Sequence, residues 1–179
     1  MNLLKALPNT VICNGRAFSV YTDYRIWMRF EIQLVNWKEG DSFPIEYLFK
    51  NDIPTSVDIA DLLAFSRPYS ELPRKMTDDD VTVIDWEIDA ELIYAAILGQ
   101  YGIDLFDVKE LHWHKFLAMI KGLNETTKLR EVMQYRAYKR EDSKNTDQYE
   151  RLRSAWEIRK LSAEEEQELE EFSKIFGGE

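Results

Sequence analysis

Near its start, the chain alternates apolar and polar residues in a pattern typical of two short β-strands. Over residues 10–20, apolar and β-branched side chains lie on both sides of Asn14-Gly15. Asn-Gly is the favoured pair for a two-residue type I′ turn, because both central positions need positive φ. The sequence therefore predicts a β-hairpin over 10–20. Because an isolated hairpin is marginal in water, we expect it to pack on a helix or to pair with another chain.

Apolar residues then recur at intervals of three and four, which is the spacing of one face of an α-helix. The first such stretch carries Trp27 and Phe30, has Thr22 or Asp23 as its N-cap, and ends before Gly40. The helices predicted in this part of the chain span 23–38, 43–49 and 55–66.

Longer amphipathic segments follow in the second half of the chain. Gly102 and Gly122 are placed to end two of these helices, and Asp107-Val-Lys-Glu110 has the spacing of a capping box. The predicted helices span 85–101, 107–121, 126–140, 146–160 and 163–176. One face of the first of them carries Ile88, Leu92, Ala95, Ala96 and Gly99.

The predicted fold is mainly α, a multi-helix domain with a small N-terminal β-hairpin. The best internal boundary lies over 67–84, where prolines and an acidic run interrupt the helical pattern. Glycine and serine are too few there for a free linker. We therefore divide the chain into residues 1–70, with the hairpin and the first helices, and 71–179, a helical region that forms one compact unit with the first. The predicted core comprises Trp27, Phe30, Leu92, Ala96, Phe116, Leu117 and Met133.

Composition narrows the class of protein. The chain has 179 residues with 45% hydrophobic and 13% aromatic side chains, which is enough to build a sizeable core. A formal net charge of −10 argues against general binding to nucleic acid. A single cysteine, Cys13, excludes a disulfide framework and a cysteine-based zinc finger. No apolar run has the roughly 20 residues of a membrane span, and the start does not read as a secretory signal. We expect a soluble, acidic, cytoplasmic protein.

The two histidines do not have the spacing of a metal site. His112 and His114 are two residues apart, so on a helix they would point about 200° apart, whereas a helical zinc pair needs a spacing of four. We expect one to pack beside Trp113 and the other to face solvent. The acidic run 77–80 lacks the alternating ligands and the glycine of a calcium loop. The sequence therefore predicts no metal site.

Signals for catalysis are equally weak. The chain has no Gly-x-Ser-x-Gly motif and no glycine-rich phosphate loop. Cys13 directly precedes the predicted turn, where a half-buried strand cysteine is a simpler interpretation than a nucleophile, since a catalytic thiol needs a histidine and a positive environment. We therefore predict no catalytic and no cofactor-binding residue, no cofactor, and no enzymatic activity.

One stretch departs from the acidic character of the chain. Residues 128–160 carry ten basic and six acidic side chains, a local excess of four positive charges, interleaved with tyrosines and a tryptophan. One interpretation is a face that binds RNA or another acidic partner. The other, which we favour, is a set of solvated helices that pair with the acidic segment 164–171. The surplus of aromatic residues fits either a large monomeric core or anchors in an oligomer interface.

Several short motifs resemble the bacteriophage Gp15 family of long-tailed phages and prophages of Gram-positive bacteria. The hairpin and the helix after it, from Cys13-Asn14-Gly15 to Phe30, also look similar. None of the motifs is catalytic. They are Asp85-Trp86, Ala95-Ala96, Tyr101-Gly102-Ile103-Asp104, Leu111-His112-Trp113, and Leu129-Arg130 through Tyr135-Arg136.

The resemblance implies a role in tail assembly. Genes of this family typically lie between those of the major tail protein and the tape measure protein, the place of tail assembly chaperones. Such chaperones are mostly helical, self-associate, coat the insoluble tape measure helix and are absent from the finished virion. The expected partners are thus the tape measure protein and the tail tube protein, with self-association and a location in the host cytoplasm. The alternatives are a structural or adaptor component of the tail and, from the basic stretch, a nucleic-acid-binding regulator.

Overall fold

The computed structural model describes residues 3–67, 83–138 and 146–158. Within these ranges it contains one β-hairpin and six α-helices, so the mainly α fold with a small N-terminal hairpin is confirmed. The strands are β1 (Thr10–Cys13) and β2 (Arg16–Ser19). The helices are α1 (Tyr24–Asn36), α2 (Ile59–Ser66), α3 (Ala90–Tyr101), α4 (Trp113–Lys121), α5 (Lys128–Ala137) and α6 (Thr146–Ala155).

The hairpin forms where the sequence predicts it. Asn14 has φ of 51° and Gly15 has φ of 76°, as a type I′ turn requires. Strands β1 and β2 are antiparallel, with Cys13 opposite Arg16. The end of β2 pairs with the segment that follows the first helix, since Lys50 N donates to the carbonyl oxygen of Ser19 at 3.0 Å. This pairing leaves only a 3₁₀ turn, Glu46–Leu48, where a helix over 43–49 was predicted.

Helix α1 begins as predicted, since the Asp23 side chain accepts a hydrogen bond from Arg25 N at 3.0 Å. Helix α2 starts at Ile59, after its N-cap Asp58, rather than at 55. Helices α5 and α6 are shorter than predicted, and the predicted helix 163–176 lies outside the described residues. Helix α3 ends at Gly102, in the left-handed conformation expected there.

The capping box predicted at 107–110 is wrong. Helix α4 begins at Trp113, because the segment before it is extended and pairs with the start of α1. Tyr24 N donates to the carbonyl oxygen of Leu111 at 2.8 Å, and Trp113 N donates to that of Thr22 at 2.7 Å. Residues 85–89 likewise form a turn ahead of α3 rather than its first turn.

The core lies between the hairpin and helices α1 to α4 and draws side chains from both predicted parts of the chain. Of the predicted core, four residues are buried: Trp27, Phe30, Ala96 and Phe116. The prediction is wrong for three that are only partly buried: Leu92, Leu117 and Met133. On α3 the buried face is rotated relative to the prediction, toward Ile93 and Ile97. The boundary between the two parts falls in 68–82, outside the described residues.

Candidate functional site

The two histidines lie side by side, which corrects the prediction that they point apart. Their ring centroids are 5.1 Å apart, because His112 precedes α4 instead of lying within it. His112 Nδ1 accepts a hydrogen bond from His114 N at 3.0 Å, so Nε2 carries the proton and donates to the carbonyl oxygen of Pro8 at 3.0 Å. His114 Nε2 donates to the carbonyl oxygen of Phe65 at 2.7 Å. The pair therefore caps a helix and joins three segments.

Both imidazoles favour the neutral form. Burial lowers the pKa of His112 more than the hydrogen bond to the Pro8 carbonyl raises it, and the nearby Lys115 lowers it further. Burial also lowers the pKa of His114, which is almost fully enclosed. Within the described residues, no group of three or more His, Cys, Asp or Glu side chains is placed to hold a metal ion. The acidic run 77–80 lies outside those residues.

Cys13 is more deeply buried than predicted. Its side chain is 1% exposed and contributes to the core on the inner face of β1. Burial raises the pKa of the Cys13 thiol, and the negative charge of Asp61 raises it further. Because the thiolate is the reactive form, this environment makes Cys13 a packing residue rather than a nucleophile.

The basic stretch 128–160 does not present all its cations to solvent. Arg136 is 4% exposed and pairs with Asp89 inside the protein. The ammonium of Lys128 lies 5.3 Å from the ring centroid of Trp156 and pairs with Glu131 at 3.1 Å. The tyrosines of this stretch also pack on one another, with ring centroids 4.9 Å apart for Tyr138 and Tyr149. Five basic residues of this stretch lie outside the described residues: Lys139, Arg140, Lys144, Arg159 and Lys160. The acidic segment 164–171 also lies outside them.

Sequence reasoning missed an exposed aromatic residue that the fold holds firmly. Phe106 is 84% exposed and lies in the turn 103–108 between α3 and α4. The Asp104 carboxylate accepts a hydrogen bond from Phe106 N at 2.8 Å. The Phe106 ring contacts that of Tyr94 on α3, with centroids 5.2 Å apart. We call this feature the Phe106 knob. Nothing in its local sequence distinguishes it from a core phenylalanine.

A groove opens between α3 and the start of α5, and we call it the α3–α5 groove. It has a volume of about 270 Å³. Its α3 wall includes Leu92, Ala95 and Gly99 of the predicted apolar face, whereas Ala96 borders the groove and also packs in the core. Its described lining residues are Leu92, Ala95, Ala96, Gly99, Gln100, Asn124, Thr127 and Lys128. The knob and the α3 wall of the groove are apolar surface open to solvent.

No helix among the described residues is both long and apolar enough to cross a membrane.

The motifs noted in the sequence hold the helical part of the structure together. Asp85 accepts hydrogen bonds from the backbone of Glu87 and Ile88, both at 2.9 Å, which fixes the turn before α3. Arg136 on α5 reaches Asp89 at the end of that turn. Leu111 and Trp113 pair with the start of α1. These residues support the architecture.

Comparison with known families agrees with this distribution of motifs. Neither curated proteins nor solved structures gave a match to the chain. The model of the family described as bacteriophage Gp15 protein matches residues 42–161, which includes the motifs around Asp85 and Arg136 and begins after the N-terminal hairpin. Because this match covers about two thirds of the sequence, the chain belongs to the bacteriophage Gp15 family.

Proposed function

We propose that this phage structural or assembly protein is a non-enzymatic tail assembly chaperone, which binds the tape measure protein and keeps it soluble while the tail is built. The observation that carries the proposal is the family match over residues 42–161. The resemblance implies that the genes of this family lie beside the tape measure gene, which supports the proposal. On this proposal the protein acts in the host cytoplasm, also meets the tail tube protein, and is absent from the mature virion.

The surface has properties that such a chaperone needs. A long tape measure helix presents apolar stripes that aggregate when they are left uncovered. The Phe106 knob and the α3–α5 groove are apolar features through which contact could be made. The net charge of −10 would keep a coated complex soluble. Several linked copies would bind more tightly than one, because linked sites add avidity.

Co-expression with the tape measure protein of the same phage tests the proposal. We expect the tape measure protein to move from the pellet to the soluble fraction and to co-purify with the chaperone. An unrelated acidic protein of similar size is the control for charge alone. Replacing the exposed Phe106 with alanine should reduce the soluble fraction without lowering the unfolding temperature. If the tape measure protein stays insoluble and the two never co-purify, the chaperone proposal is wrong.

The second candidate from the same family is a structural or adaptor component of the tail. Mass spectrometry of purified particles separates the two functions. A chaperone is lost on maturation and should be missing from the particles, whereas a structural component should be present in fixed ratio to the tail proteins.

A further inference from the structure

The described part of the chain ends beside the α3–α5 groove. Trp156, the residue after α6, is fixed to α5, because its carbonyl oxygen accepts a hydrogen bond from Arg136 Nε at 2.6 Å. The centroid of its ring lies 5.3 Å from the ammonium of Lys128, which is itself a lining residue of the groove. Ile158, the last described residue, follows two positions later. The rest of the chain therefore starts close to the edge of the groove.

The sequence that follows predicts a helix with one apolar face. We call residues 163–176 the C-terminal segment, and it lies outside the described residues. Leu169, Phe172 and Phe176 are spaced by three and four residues, so on a helix they share one face. The match to the family model ends at residue 161, before this segment begins. A helix with such a face needs an apolar surface to pack against.

The α3–α5 groove fits this face in size. An enclosed cavity of about 150 Å³ is large enough to take up benzene, and the groove has about 270 Å³. A Cβ added at Gly99 would meet no atom within 4 Å, and Ala95 is small, so an aromatic ring can approach α3 closely. At 1.5 Å per residue, a helix over the C-terminal segment is about 21 Å long, which exceeds the roughly 10 Å from Leu92 to Gly99. The four residues before it span up to about 14 Å.

The charge of the C-terminal segment also suits this position. It carries six glutamates and one lysine, whereas residues 128–160 have an excess of four positive charges. No residue from Leu92 to Gln100 is charged, so the glutamates meet no carboxylate on the α3 wall. Lys128 forms an exposed pair with Glu131, and such a pair contributes little. The attraction therefore comes from the basic stretch as a whole rather than from Lys128 alone.

We propose that the C-terminal segment docks as a helix in the α3–α5 groove of its own chain, with its apolar face against Ala95 and Gly99. The contact forms within one chain, because a short connection gives the segment a much higher effective concentration than a second copy has. The docked segment covers the α3 wall, so a partner reaches that wall only when the segment leaves it. The inference does not depend on tape measure binding, because it concerns the purified chain alone.

Engineered disulfides in the full chain test the contact. Gly99→Cys places a thiol on the open wall of the groove, and Ser173→Cys places one on the apolar face of the segment without removing an apolar residue. Leu98→Cys is the matched control, because Leu98 is exposed on the same helix, about 100° around the axis from Gly99. The native Cys13 is 1% exposed and does not compete. A disulfide forms only when the two Cα atoms come within about 7 Å.

Oxidation in a glutathione buffer, followed by mass spectrometry of the intact chains and their peptides, measures the rate of disulfide formation. We expect Gly99→Cys with Ser173→Cys to close within one chain at least about tenfold faster than Leu98→Cys with Ser173→Cys, because docking raises the effective concentration of the two thiols. Thermal unfolding of the reduced proteins checks that each variant is folded.

A third substitution shows whether the apolar face of the segment drives the docking. Adding Phe172→Ser to the groove pair should remove its faster closure, whereas adding Ile175→Ser, which lies off that face, should leave it. Equal rates for the Gly99 and Leu98 pairs, a rate that Phe172→Ser does not change, or a disulfide that joins two chains would overturn the proposal.

Discussion

Asp89 and Arg136 form a buried, two-pronged ion pair across 47 residues of sequence. Arg136 Nη1 lies 2.6 Å from Asp89 Oδ2, and Nη2 lies 2.9 Å from Oδ1. Both side chains are almost fully enclosed, at 4% and 2% exposure. Arg136 Nε also donates to the carbonyl oxygen of Trp156 at 2.6 Å, and Nη1 to that of Val83 at 3.2 Å. One guanidinium therefore joins the turn before α3, helix α5 and the residue after α6.

Replacing Arg136 with methionine should lower the free energy of unfolding by about 3–5 kcal/mol, because the buried carboxylate of Asp89 is left without its partner. Urea denaturation followed by circular dichroism measures the change. Arg136→Lys should not restore the loss, since an ammonium cannot reproduce the planar fork of hydrogen bonds.

The double variant Asp89→Leu with Arg136→Met is the informative control. Removing both charges avoids the unpaired carboxylate, so part of the lost stability should return. Arg16→Met is the surface control, because the Arg16–Asp52 pair is largely exposed and should contribute little. If Arg136→Met changes stability no more than Arg16→Met, the buried pair does not hold the segments together.

Two phenylalanines allow the same substitution to be compared inside and outside the core. Phe116 is 0% exposed and stacks on Tyr24, with ring centroids 4.9 Å apart, whereas Phe106 is 84% exposed. Phe116→Ala should lower the free energy of unfolding by about 3–5 kcal/mol, since it leaves a cavity. Phe106→Ala should change it by no more than about 0.5 kcal/mol. Similar losses for both variants in urea denaturation would contradict the assignment of Phe106 to the surface.

Two glycines at the end of α3 should respond to alanine with opposite signs. Gly102 has φ of 65°, in the left-handed region, and its N–H donates to the carbonyl oxygen of Leu98 at 2.9 Å. Gly102→Ala should therefore destabilise the protein by about 1–2 kcal/mol. Gly99 lies within the helix with open space around it, so Gly99→Ala should stabilise by about 0.5–1 kcal/mol. Thermal unfolding distinguishes the two, and a stabilising Gly102→Ala would be inconsistent with its role as a helix end.

Local signals in the sequence were sufficient for the hairpin and for several helix ends. Asn14-Gly15 and Gly102 adopt the positive φ that their positions require, and Asp23 caps α1 through its own side chain. Each of these features depends only on residues that are close to it in the sequence. The start of α4 is not, because it depends on the pairing of Leu111 and Trp113 with the start of α1, about 90 residues earlier in the chain.

The candidate site was harder to predict than the fold. Helix α3 carries apolar residues nearly all round, so periodicity does not decide between the face with Ile93 and Ile97 and the face with Ala95 and Gly99. Packing against the other helices determines which face of α3 is buried, and it leaves the other face open as the groove. Phe106 has the composition of a core residue, and only the anchoring of Leu105 turns its side chain outward.

The neighbouring histidines make stability depend on pH. In the unfolded chain both titrate near a pKa of about 6.5, whereas burial lowers the pKa of His112 and His114 in the folded protein. Between these values the unfolded chain binds more protons, so protonation favours unfolding. The free energy of unfolding should therefore fall as the pH drops below about 6.5 and stop falling, as far as these groups are concerned, below their folded pKa values.

A variant that keeps the hydrogen bonds but cannot titrate tests this dependence. His112→Asn retains a good N-cap for α4, and His114→Gln retains a side-chain N–H that can donate to the carbonyl oxygen of Phe65. Urea denaturation from neutral pH down to about pH 5, above the range in which carboxylates titrate, should give a flatter profile for the double variant than for the wild type. Equal slopes for the two proteins would show that the pH dependence of stability comes from groups other than these two imidazoles.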